Sequence, residues 1–166
     1  AGLAASLSET GDGNVLLVDA NVNDGAAHPF YRGELACGIH DVLKEECRGE
    51  AQVQDHLYVA AASDTDGGLI KALPRRFSQL VPKLKASDYD YIIFDMPPVT
   101  QTSITSKLAG YMDMVLLVVE SEKTGRAIVE EASGLLHESR ANLAAILDKT
   151  RRYVPHVVHP EFEEAG

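Results

Sequence analysis

Two short apolar runs end on a carboxylate, and these are the residues best placed to do chemistry. Tyr91-Ile-Ile-Phe94 leads into Asp95-Met-Pro-Pro98, and Val15-Leu-Leu-Val18 leads into Asp19-Ala-Asn21. β-Branched and aromatic residues in runs this short, closed by Pro or by a loop, read as buried strands. An Asp at the C-terminal end of such a strand lies where open α/β sheets bind ligands. The competing reading of each is a carboxylate that caps the turn behind it. Other candidates are weaker. His156 and His159 have the i, i+3 spacing of a metal pair, but Pro155 and Pro160 flank them and no acid or Cys falls at a matching interval. Cys37 and Cys47 have no metal-type spacing and read as inert, in a reduced compartment.

The elements that must position these acids alternate along the chain. A helix tail, Ala1 to Thr10, is stopped by Thr10-Gly-Asp-Gly13. The Asn14–Ala20 strand follows, then a loop over Asn21–Pro29, a short helix over Gly38–Leu43 and a charged connector from Glu45 to Gln54. His56–Ala62 is a strand, and Leu73, Phe77, Leu80, Val81 and Leu84 give a helical stripe that Pro82 should kink or break early. After the Asp95 strand, helices are expected around Ile104–Met112 and Ile128–Leu136, and strands at Met114–Val119 and Leu143–Leu147. A basic, proline-interrupted tail starts at Lys149. Near-continuous apolar strands alternating with helices predict an α/β fold, a mostly parallel central sheet with helices on both faces.

The bulk properties narrow the function. With 166 residues, 45% hydrophobic and 24% charged, the chain can bury a core. A net charge of −10 and a pI near 4.9 argue against nucleic acid or an anionic membrane as partner. No apolar run is long enough to span a bilayer, so direct membrane insertion is not expected.

The acid-tipped strands resemble the motifs of the bacterial tyrosine kinases. These are cytoplasmic autokinase domains of capsule and exopolysaccharide synthesis, related to the partition and septum-site ATPases with a deviant Walker motif. Val15-Leu-Leu-Val-Asp19-Ala-Asn21 is similar to their second Walker-A-type motif, and Tyr89-Asp-Tyr-Ile-Ile-Phe-Asp95-Met-Pro-Pro98 to their Walker B. Gly38-Ile-His-Asp-Val-Leu43, Asp113-Met-Val-Leu-Leu-Val-Val119 with Lys123-Thr124, and Ala145-Ile-Leu-Asp148-Lys149 with Arg151-Arg-Tyr153 continue the likeness in register. Agreement of five weak signals in order is what gives the resemblance its weight.

The resemblance implies a P-loop NTPase-like domain over residues 1–166, truncated at its N-terminus and lacking the first strand and the P-loop. It implies ATP and Mg²⁺ as cofactors of the intact domain. Asp95 and Asn21 would meet the metal, with Asp95 orienting its bound water, and Asp19 would serve as base toward the attacking hydroxyl. Asp19, Asn21, Asp95, Pro98, Asp148 and Lys149 would line the nucleotide. The implied partners are the cytoplasmic segment of a membrane polysaccharide chain-length regulator, which would recruit the domain to the inner face of the membrane, and further copies of the chain.

The departures are as informative. The Gly-rich loop ending Gly-Lys-Ser/Thr is not in the sequence, which implies a fragment, a mis-started product or a diverged relative. Asn21 replaces the second acid of Asp-x-Asp-x-Arg, Asn23 its Arg, and Ile104 the acid of Ser-Asp; Asp148 stands where an Asn is usual. Tyr153 is the only tyrosine beyond Tyr111, so the C-terminal acceptor cluster is missing. Two functions follow: an ATP-dependent tyrosine-kinase-like domain, inactive alone, or a non-catalytic relative that docks as a regulator, with a partition-type ATPase as a distant third. With the first strand absent, the Phe94 strand and the Leu117 strand should flank a gap.

Overall fold

The computed structural model describes residues 1–21, 30–31, 35, 37–44, 47–62, 69–100 and 103–149, with only the backbone of 69–76. Its elements are α1 (Gly2–Glu9), β1 (Val15–Asp19), α2 (Ile39–Val42), α3 (Arg48–Ala51), β2 (Gln52–Gln54) and β3 (Leu57–Ala61). They continue with α4 (Leu69–Lys85), β4 (Tyr91–Asp95), α5 (Ile104–Ala109), β5 (Val115–Glu120), α6 (Arg126–Glu138) and β6 (Leu143–Asp148).

β1 is the axis of the first sheet, whose order is β2-β3-β1-β4. It pairs in parallel with β3 on one side and β4 on the other. Val15, Leu16, Leu17 and Val18 are all 0% exposed, because a strand covered on both edges and both faces needs no polar side. The strand's two-residue period splits its side chains between two cores. Leu16 and Val18 join Tyr58, Ala60, Ile39, Val42, Phe77 and Leu80 beneath α2 and α4. Val15 and Leu17 join Leu57, Val59 and Ala4 on the α1 face, where Leu7, Phe30 and Tyr31 pack against them.

β5 and β6 form a separate parallel pair. Between them and the first sheet, α5 packs on α4 and on α6. As expected, β4 and β5 are not hydrogen-bonded to each other. Beside β4, a cavity of about 630 Å³ is lined by Phe77, Val81, Tyr91, Ile92, Phe94 and Met112, among others. Phe77 holds its wall by edge-to-face contacts with Phe94 and Tyr111, at centroid distances of 5.5 and 5.6 Å.

Several sequence expectations need correcting. The 45–54 connector contains a helical turn, α3, and the antiparallel edge strand β2, anchored where Arg48 pairs with Asp88 and lies over the Tyr58 and Tyr89 rings. α4 runs on to Lys85 rather than breaking at Pro82. Pro82 forfeits one N–H bond of the helix, yet the helix continues past it and the Pro82 carbonyl accepts from Ala86 N–H. The sheet is not covered throughout: β4 reads one exposed and four half-buried residues, and Val118 of β5 and Leu147 of β6 are exposed. Among the described residues β4 pairs only with β1, and β5 and β6 pair only with each other. Cys37 and Cys47, expected to be inert and unpaired, are joined as a disulfide because the α2 turn brings the chain back on itself. The tail from residue 150 onward, with Arg151, Tyr153, His156 and His159, lies outside the described residues.

Candidate functional site

Asp19 and Asp95 are register partners at the C-terminal ends of β1 and β4. Parallel pairing of adjacent strands in equal register is what sets two carboxylates side by side. The chain turns away behind both, and Ala20 N–H donates to the Asp95 carbonyl at 2.9 Å, locking the two strand ends together. Asp19 is 8% exposed and well partnered. One carboxylate oxygen accepts from Asn21 N–H at 2.9 Å, and the other accepts from the Tyr31 hydroxyl. No ion pair reaches Asp19 or Asp95 among the described residues.

Tyr31 is the residue that sequence reading missed. It sits twelve positions past Asp19, outside any motif, and only the packing of Phe30 and Tyr31 onto the α1-side core brings it back. Its phenol is held protonated well above the ordinary range. Burial is the main cause, followed by its hydrogen bond to Asp19 and the negative charges of Asp19 and Asp95.

The remaining predicted residues divide. Asn21 stays beside Asp19 through its backbone. Pro98 is exposed in the loop after β4, whose course is fixed by Thr105 donating from its hydroxyl to the Pro97 carbonyl at 2.7 Å. Asp148 and Lys149 lie on the second sheet, at the C-terminal end of β6, where Asp148 is the register partner of Glu120. Lys149 is committed there, with its ammonium 2.8 Å from Glu120, which Lys123 also approaches at 2.9 Å. The two cations hold the Glu120 carboxyl below its usual range, Lys149 contributing most. Glu120 was legible in principle: Val115-Leu-Leu-Val-Val-Glu120 is a third acid-tipped strand. Asn23 lies outside the described residues.

The donor set suits a hard cation. Asp95 and the Asn21 side chain offer oxygens of the type that Mg²⁺ prefers. The phosphate side is different, since no cationic side chain of the described residues pairs with these acids.

Comparison with known proteins gives this arrangement a context. The chain is 28% identical over 153 residues to a putative tyrosine-protein kinase, EpsB, of Ralstonia solanacearum, covering 89% of this chain and 20% of that protein. It is 24% identical over 160 residues to the tyrosine-protein kinase YwqD of Bacillus subtilis, covering 94% of this chain and 67% of the relative. The crystal structure of the VpsO kinase domain superposes with a TM-score of 0.68 at 25% identity, over 87% of this chain and 72% of that one. The chain matches the bacterial tyrosine kinases. A ParA family ATPase from Chlorobium tepidum shares the fold, with a TM-score of 0.58 at 20% identity, over 87% of this chain and 64% of that one. The fold is therefore shared beyond the tyrosine kinases. No family model matches. The chain spans a fifth of the length of EpsB, and among its described residues no helix is long and apolar enough to cross a membrane.

Proposed function

We propose that this chain is the tyrosine-kinase-like part of an exopolysaccharide-synthesis protein, carrying the acid half of a Mg·ATP site. The observation that supports this most is the register pairing of Asp19 with Asp95 at one sheet end. In such a site phosphoryl transfer rests on positioning and charge neutralisation. When bound, Mg²⁺ would supply positive charge against the phosphates. Asp95 and Asn21 would hold it, and Asp19 would accept the proton of the attacking hydroxyl. Tyr31 now occupies one Asp19 oxygen, so its hydroxyl has to move, or be replaced by the substrate hydroxyl, before Asp19 can act.

The residues that cradle phosphate are the missing half. Hydrogen bonds to charged groups are worth roughly 1.5–3 kcal/mol each, so several absent N–H donors and a Lys remove most of the affinity. Titration calorimetry of the 166-residue chain with Mg·ATP should show no binding at micromolar concentrations. Micromolar affinity would overturn this reading of the site.

The second reading is a non-catalytic relative docking to a membrane chain-length regulator. Asn21 in place of an acid, and Lys149 already paired with Glu120, favour it. The coding sequence before Ala1 separates the two. A Gly-x-x-Gly-x-Gly-Lys-Ser/Thr there, with autophosphorylation lost in Asp95→Asn, supports the enzyme. A degenerate loop supports the regulator.

A further inference from the structure

Cys37 and Cys47 close a ten-residue interval, with their Cα atoms 6.0 Å apart, a separation ordinary for a disulfide. The two sulfurs have different surroundings. Cys37 is 1% exposed, while Cys47 is half-buried at the start of α3, its Sγ 3.7 Å from a Glu50 carboxylate oxygen. The Cys37 Sγ also lies 3.2 Å from the Cys47 carbonyl, so a reduced Cys37 thiol has an acceptor ready and can stay buried without an orphaned donor. The site thus accommodates both oxidation states.

We propose that Cys37–Cys47 is a reversible thiol–disulfide exchange site that governs how firmly the 37–43 segment is held to the sheet. Ile39 and Val42 seat that segment in the core, but its backbone is tied less firmly. Among the described residues its backbone pairing with the sheet is the Gly38–Ala61 bridge, with Ala61 N–H donating to the Cys37 carbonyl at 2.9 Å. α2 is one turn of four residues, too short to persist without tertiary support. Ala61 is the register partner of Asp19, and the next residue, Ala62, donates its N–H to the Asp19 carbonyl at 2.8 Å. The disulfide therefore steadies the strand end that carries Asp19.

Opening proceeds by attack of a thiolate, from a dithiol or from the first of two glutathione molecules, on the reachable Cys47 sulfur. The S–S bond breaks and Cys37 leaves as a thiolate that takes up a proton. The second reductant thiol then displaces Cys47 from the mixed disulfide, so the reductant ends as a disulfide and the protein has gained two electrons and two protons. Closing uses a small-molecule disulfide such as oxidised glutathione. The Cys47 thiolate attacks it, one thiol is released, and Cys37 displaces the second while losing its proton. Glu50 places negative charge beside Cys47, which disfavours the thiolate and slows closing.

The test uses the full chain in graded mixtures of reduced and oxidised glutathione, with alkylation trapping and mass spectrometry, and then amide hydrogen exchange on each form. The expected result is complete, reversible interconversion across the mixtures. Exchange at Ala61 and over Ile39–Leu43 should be at least tenfold faster in the reduced form, with Leu16 and Leu17 unchanged. Glu50→Gln should close a few-fold faster. The proposal fails if the thiols stay free in excess oxidised glutathione, or if the bond yields only on unfolding. It also fails if the amides do not respond, or if the reduced pair instead takes up stoichiometric zinc with Glu50. None of these readouts involves a nucleotide, so the outcome is independent of the kinase reading.

Discussion

Tyr31 places a neutral phenol against Asp19, and the energetic consequence can be measured. Burial first, then the Asp19 hydrogen bond and the Asp19 and Asp95 charges, raise its pKa in the fold. A raised folded value means that the neutral form carries the stability. The contribution is complete below the ordinary tyrosine pKa of about 10 and is lost as pH climbs through the folded value. Tyrosinate absorbance should therefore show a late-titrating group that vanishes in Tyr31→Phe. The same variant should lose roughly 1–2 kcal/mol in urea denaturation at neutral pH, below the full value of a charged hydrogen bond because the site is only partly buried. Glu120 shifts the opposite way, held down chiefly by Lys149 and then by Lys123. Its stabilising effect is present above the ordinary glutamate range and is lost as pH falls through the folded value. Carboxyl carbon shifts measured by NMR should place Glu120 below the ordinary range and return it toward that range in Lys149→Ala. Salt should weaken the effect, since both groups face solvent.

At the scale of elements, close approach decides more than propensity does. Gly110, at the end of α5, has ordinary helical dihedrals, yet a Cβ there would lie 2.6 Å from the Ser139 carbonyl oxygen at the end of α6. Ser139 also donates its hydroxyl to the Ser106 carbonyl, so the two helix ends are tied where they touch. Gly110→Ala must push α5 and α6 apart, and a loss of about 1–3 kcal/mol in thermal or chemical unfolding is expected. An unchanged midpoint would show that the contact yields freely. Nothing in the sequence announces that contact, whereas the strands were readable wherever apolar runs end on a turn residue or acid. Asp19 and Asp95 were legible for that reason. β2 was not, because Gln52-Val-Gln54 is a polar edge strand whose pairing is set by β3. The disulfide and the Tyr31–Asp19 contact escaped for a related reason: each depends on loops returning to a sheet, and no local pattern encodes the return.

For the whole molecule, the division of the sheet should govern how it opens. β1 has a strand on each side and its apolar residues are fully buried, so its amides can exchange only when much of the fold is lost. Among the described residues β5 has β6 alone, α6 packs on β6, and Val118 and Leu147 remain 62% and 58% exposed. Fewer buried contacts mean a lower free energy of local opening. Native-state hydrogen exchange in low denaturant should then resolve two groups. The amides of Val115–Glu120 and Leu143–Asp148 should exchange at least tenfold faster than those of Leu16–Val18 and Val59–Ala60. The β4 amides should fall between, since β4 keeps β1 on one edge and meets the cavity on the other. The β4 edge away from β1, unpaired among the described residues, is also a template for another strand. A strand that filled it would bring β4 and β5 toward the protection of β1. Equal protection across all six strands in the chain as it stands would mean that the two sheets unfold as one unit, with α5 joining them more firmly than its short contact surface suggests.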